Sequence, residues 1–153
     1  MPNILVKIPH GAFPDAYRST LVRKLNDAAA TAEQIPDEPG KRMLCWVVID
    51  EQPAGAWTCG AIDMSARLLP CLVVVHVPAG VLDGAARAVF VALIHQAFKQ
   101  ALPNGEQRQL ATSVIINEVV EGNWGANGKI VRLPELTQVA GYMHLQSLLA
   151  GAA

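Results

Sequence analysis

The chain has 153 residues, enough to bury the core of one domain, or of two half-domains sharing a core, without disulfide or metal staples. Apolar residues make up 52% and charged residues 16%, the net charge is −1 and no basic block occurs, so the surface that nucleic acids require is missing. Apolar content above the usual globular share predicts a subunit interface.

After Met1-Pro2, the alternation of Ile4, Val6 and Ile8 with Asn3, Leu5 and Lys7 predicts a strand, closed by a turn at Pro9-His10-Gly11. Tyr17, Leu21, Val22, Leu25, Ala28, Ala29 and Ala32 recur at helical spacing with no interior Gly or Pro, which predicts a long helix from Asp15 to Ala32. Pro36-Asp37-Glu38-Pro39-Gly40 reads as a loop, and Met43 to Asp50 as an apolar strand buried on both faces. The order then repeats. Cys71 to Val77 is a strand, Pro78-Ala79-Gly80 a turn, and Asp83 caps a helix carrying Val89, Phe90, Leu93, Ile94, Ala97 and Ala101. Pro103-Asn104-Gly105 stops that helix, and Thr112 to Val120 is the fourth strand. Beyond it, Ile130-Val131 is strand-like and Tyr142 to Leu149 reads as a terminal helix.

The repetition extends to motifs. Val47-Val48-Ile49-Asp50-Glu51 leads to Gly55-Ala56-Trp57, and Val114-Ile115-Ile116-Asn117-Glu118 leads to Gly122-Asn123-Trp124, both displaced by 67 residues. Ile8-Pro9 and Val77-Pro78 are displaced by 69, so a small indel separates the halves. The chain therefore reads as one domain over 1–153, made of two β-α-β half-repeats at about 1–66 and 67–132, with an interface arm at 133–153. Two parallel crossovers in one sheet predict an α/β (α+β) fold: a four-stranded mixed sheet with two helices on one face. The opposite face, with Leu5, Lys7, Val74 and His76, is left bare and calls for partner subunits.

Cys45, Cys59 and Cys71 form no C-x-x-C pair and read as small buried hydrophobes. His10, His95 and His144 have no ligand-spaced partner, and Lys7 and His76 read as lining the bare face, so neither a metal nor a cofactor is assigned. Asp15 with Arg18 and Asp83 with Arg87 read as helix-start charge pairs. With no leader pattern and no long apolar run, the expectation is a soluble cytoplasmic protein with no membrane partner.

In their order, Met1-Pro2 entering strand one, the long first helix, the second strand ending Ile49-Asp50-Glu51 or Ile116-Asn117-Glu118, and the Gly-x-Trp turns resemble the tautomerase superfamily. That group includes 4-oxalocrotonate tautomerase, macrophage migration inhibitory factor, malonate semialdehyde decarboxylase and cis-3-chloroacrylic acid dehalogenase. Asp50-Glu51-Gln52-Pro53-Ala54-Gly55 is similar to the dehalogenase branch, and the stretch from Gly122 to Gly128 to the family's hairpin beside the active site. The resemblance implies a homotrimer of fused subunits with a pocket at each subunit boundary. There Pro2, freed by removal of Met1, acts as general base in keto-enol proton transfer on a small 2-oxo acid or enol. An α-amino group titrates near about 7.7–8.0 and a secondary amine higher, so apolar burial has to depress it toward neutrality.

Several family positions differ here. The arginine after the first turn is replaced by Gly11-Ala12 and Gly80-Val81, and the arginine before the strand-end glutamate by Trp46 and Ser113. The dehalogenase histidine and tyrosine are Ala29 and Ile115. These losses move the expectation away from dicarboxylates, which bidentate arginines grip, toward a less charged or aromatic substrate. Lys41 or Arg42 is a candidate substitute cation for an enolate oxygen, against a reading as solvated loop charges. Ser113 is a candidate hydrogen-bond donor; Trp124 is a candidate wall of the pocket and Trp57 of a second, vestigial one, against a reading of both tryptophans as interface packing. A proline-based decarboxylase or hydratase, served by Arg67 or Arg132, is the alternative activity, and a non-catalytic trimeric scaffold the alternative class.

Overall fold

Four strands and two long helices carry the architecture of residues 2–150, which the computed structural model describes. Removal of Met1, on which the chemistry of Pro2 depends, lies outside those residues. Strands β1 (Asn3–Pro9), β2 (Trp46–Gln52), β3 (Leu68–Pro78) and β4 (Gln109–Val119) form one sheet in the order β2-β1-β3-β4. β1 pairs with β2 and β3 with β4 in parallel, while β1 and β3 meet antiparallel, with Asn3 opposite His76. Helix α1 (Asp15–Ala32) joins β1 to β2, and α3 (Gly84–Gln100) joins β3 to β4. The expected mixed sheet with two helices on one face is thus what forms.

The core lies between them. Ile4, Val6 and Ile8 of β1 and Val73, Val75 and Val77 of β3 point inward, against Leu21 and Leu25 of α1 and Phe90 and Ile94 of α3. Phe98 of α3 meets Phe13 edge to face, with ring centroids 5.7 Å apart, and both rings are fully buried. Truncating Phe98 to alanine is expected to cost about 3–5 kcal/mol of unfolding free energy, read by denaturant titration, because the void is enclosed on every side.

α3 starts as expected, with Asp83 accepting from the Ala86 amide at 2.7 Å. The anticipated pairs at the helix starts do not form. Arg18 instead reaches Glu51, and Arg87 reaches Glu118 at 3.0 Å, so the glutamate ending each repeated strand motif clamps the helix of its own half.

Other expectations shift. Strand two begins at Trp46 rather than Met43, because the loop before it contains a one-turn helix, α2 (Pro39–Arg42), and Met43 is 77% exposed. β2 is an edge strand, and its outward residues Trp46, Val48 and Asp50 are exposed rather than buried. Cys59 is exposed, Cys45 partly so, and only Cys71 is buried. Beyond β4, the two-residue strands β5 (Gly125–Ala126) and β6 (Lys129–Ile130) make a hairpin. Helix α4 (Leu133–Ala140) follows, and the expected helix from Tyr142 is divided into a 3-10 turn (Met143–Leu145) and α5 (Ser147–Ala150). Pro134 sits in the first turn of α4, where proline fits a helix, and the Arg132 amide donates to Glu135 at 2.7 Å. Leu136, Ala140 and Tyr142 are buried in the chain's own core.

Candidate functional site

Pro2 is buried, and its carbonyl accepts a hydrogen bond from the Trp46 amide at 3.1 Å, which ties the entry of β1 to the start of β2. Beside it, Asn3, His76, Val119, Asn123, Trp124 and Gly125 line a cavity of about 230 Å³. Trp124 is 9% exposed, and its carbonyl accepts from Val131 at 2.8 Å, which holds the hairpin over this end of the sheet. A groove of about 520 Å³ runs between that hairpin and α4, past Leu44.

Lys41 lies toward the same region. Its ammonium pairs with Glu38 at 3.1 Å while its stem crosses Gly141, where an added Cβ would stand 2.8 Å from Nζ. Gly141 also holds a φ of 72°, the left-handed conformation that ends α4, so glycine answers two demands at once. Gly141→Ala is expected to lose about 1–2 kcal/mol from the backbone alone and to displace Lys41, measured by thermal denaturation.

The other sequence candidates lie elsewhere in the chain. Arg42 turns onto α1, bound to Asp27, and its carbonyl accepts from the Asn26 side chain at 3.1 Å. Ser113 is exposed on the bare sheet face opposite Leu72, four positions along β4 from Asn117, which pairs with His76. Arg67 precedes β3 at the far end of the sheet, and Arg132 faces Glu121 at 3.8 Å beside the hairpin. Trp57 lines a separate cavity of about 280 Å³ with Pro70 and Arg108, the equivalent end of the second half. Arg108 is occupied there by Glu106 at 2.6 Å, which holds that carboxyl down at about 2.

Two residues that the sequence reading passed over stand at the Pro2 end. Glu33, which caps α1, and Tyr142 are both 0% exposed and hydrogen-bonded to each other. Burial raises the Glu33 carboxyl, against the Tyr142 hydroxyl and His144, and burial also raises the phenol. The available signal was an acidic residue ending a helix with no basic residue in its last turn. Burial pushes the Cys45 and Cys71 thiols up to about 12, so neither is a thiolate nucleophile at neutral pH. Among the described residues no group of three His, Cys, Asp or Glu could hold a metal, and no helix is long and apolar enough to cross a membrane.

No protein-family model and no curated protein matches the chain. Solved structures do. A fused 4-OT, an asymmetric trimer, is similar with a TM-score of 0.68 at 19% identity, over 84% of this chain and 94% of that one. Pt0534 inactivated by 2-oxo-3-pentynoate gives 0.64 at 17%, over 84% and 94%. Macrophage migration inhibitory factor of Toxoplasma gondii gives 0.60 at 13%, over 84% and 99%. At these identities the likeness is one of fold, and the chain has the fold of the tautomerase superfamily.

Proposed function

We propose that this chain is a tautomerase-type isomerase in which Pro2, freed by removal of Met1, is the general base. Its neutral secondary amine takes an acidic proton from the carbon beside the carbonyl of a small 2-oxo acid or enol and returns it at another carbon. The burial of Pro2 next to Asn3, which lines a cavity with Trp124, carries this reading, because burial disfavours the charged form of an amine. Lys41 is the proposed cation for the enolate oxygen, since Arg42 is held on α1 by Asp27. Ser113, on the bare face, would reach the pocket of a neighbouring subunit in a homotrimer.

A decarboxylase or hydratase reading has less support within the chain, since Arg67 is at the far end of the sheet and Arg132 pairs with Glu121. Intact-mass analysis of the native protein, followed by assay with phenylenolpyruvate and 2-hydroxymuconate, tests the proposal. A mass lacking methionine, with turnover of either enol, supports it. A retained methionine contradicts it and favours the non-catalytic scaffold. 2-Oxo-3-pentynoate, which inactivates Pt0534, is a probe for the Pro2 amine proposed here.

A further inference from the structure

A crossover helix runs opposite to the parallel strands it joins, so the last turn of α1 returns to the sheet end where β1 and β2 both start. Glu33 sits at that point as the residue capping α1, fully buried. Tyr142 is delivered to the same place by the turn after α4, which the Met143 amide fastens to the Gln34 carbonyl at 3.0 Å. Its hydroxyl donates to the Glu33 carboxylate. Cys45, immediately before the Trp46 that binds Pro2, feels the Glu33 charge. Glu33, Tyr142 and the entry of β1 are therefore one cluster.

Stability does not account for this carboxyl. An acid at a helix C-terminus faces the negative end of the helix dipole, and α1 has no basic residue in its last turn to offset it. Removing an ionised carboxylate from water is unfavourable as well, and an apolar side chain of similar volume would fill the space better. A buried ionisable group kept against two unfavourable effects, next to a chemically active amine, marks function.

We propose that Glu33, fixed by the Tyr142 hydroxyl, is the positioning residue that orients the Pro2 nitrogen and sets its proton affinity, an inference resting on Pro2 as the catalytic amine. A neutral secondary amine has one N–H and one lone pair. With the N–H donated to Glu33, the lone pair faces the cavity. When the nitrogen takes the substrate proton it becomes a cation with two N–H groups, and Glu33 is the counter-charge that steadies it until the proton is returned.

The other groups acting on Glu33 or its neighbours are accounted for. They are the Cys45 thiol, His144, whose Nε2 lies 2.8 Å from the Val81 carbonyl, Lys41 paired with Glu38, and Arg42 paired with Asp27. The sign follows. A carboxylate beside the amine favours its protonated form, so removing that charge lowers the proton affinity of Pro2 and moves the acid limb of the pH profile of kcat/KM to lower pH. Tyr142→Phe removes the donor that favours ionised Glu33, and acts in the same direction by less.

The test is a nitrogen-15 NMR titration of proline-labelled protein whose terminus has been verified by intact mass. It compares the unmodified chain with Glu33→Gln, Glu33→Asp and Tyr142→Phe, beside their pH profiles of kcat/KM. The expected result is a Pro2 titration lowered by about one pH unit or more in Glu33→Gln, a tenfold change in proton affinity. A smaller drop is expected in Tyr142→Phe, with partial recovery in Glu33→Asp. Reduced melting temperature with an unmoved Pro2 titration would show a merely structural role and overturn the inference, and should Glu33→Gln fail to fold, Tyr142→Phe and Glu33→Asp decide. A Pro2 nitrogen that does not titrate in the unmodified chain would instead remove the base reading itself, and this inference with it.

Discussion

Pro2→Ala is expected to lower kcat/KM for the enol substrates by about 10²- to 10⁴-fold, the range lost with a positioned general base. The pyrrolidine ring binds nitrogen to both Cα and Cδ, so its lone pair has one direction. A terminal alanine carries a primary amine that rotates and starts from a lower proton affinity. The substitution spares the fold, since the Pro2 carbonyl that accepts from Trp46 is a group alanine also supplies. Circular dichroism and oligomer mass should therefore be unchanged while turnover collapses, and full turnover in the variant would remove Pro2 from the mechanism.

The double variant Leu5→Glu, Ile115→Glu is expected to convert an oligomer to monomers, read by light scattering after size exclusion. On the bare sheet face Leu5 is 40%, Val48 52%, Trp46 64% and Ile115 46% exposed, an apolar surface too broad to leave to water. β2 and β4 are also both edge strands, with backbone groups free to pair. Two carboxylates in such an interface cost several kcal/mol each if unpaired. The monomer should retain its helices, because Leu5 and Ile115 point away from the helical layer. If pockets form only between subunits, activity falls with the oligomer. Persistence of a trimer would mean that it assembles through another face.

The parts of the molecule written as long periodic runs are legible in the sequence. Ile4, Val6 and Ile8 alternate, α1 repeats at helical spacing to its observed ends, and the paired Glu51 and Glu118 motifs reveal the duplication. What stays hidden depends on partners distant in sequence. α2 and α4 are short and contain proline, so composition alone reads them as loop. Arg18 and Arg87 have acidic neighbours in sequence, yet choose Glu51 and Glu118 because the crossover brings the strand ends alongside the helix starts. Glu33 follows an alanine-rich helix and looks like a solvated end, yet it is buried and hydrogen-bonded to Tyr142, in the last segment of the chain. Lys41 reads in the sequence as a loop charge near the expected pocket, but only the turn at Gly141 reveals what its stem crosses.

The most direct test of the central claim is mass mapping after incubation with 2-oxo-3-pentynoate, an alkyne conjugated to a carbonyl. A free secondary amine adds to the alkyne carbon remote from the carbonyl, its proton passes to carbon, and the chain gains the mass of one inhibitor molecule. The account predicts one adduct per subunit, on the peptide beginning at Pro2, with loss of turnover in proportion to labelling. A chain that stays unlabelled at Pro2 while turning over enols, or one that still begins with methionine, would contradict it.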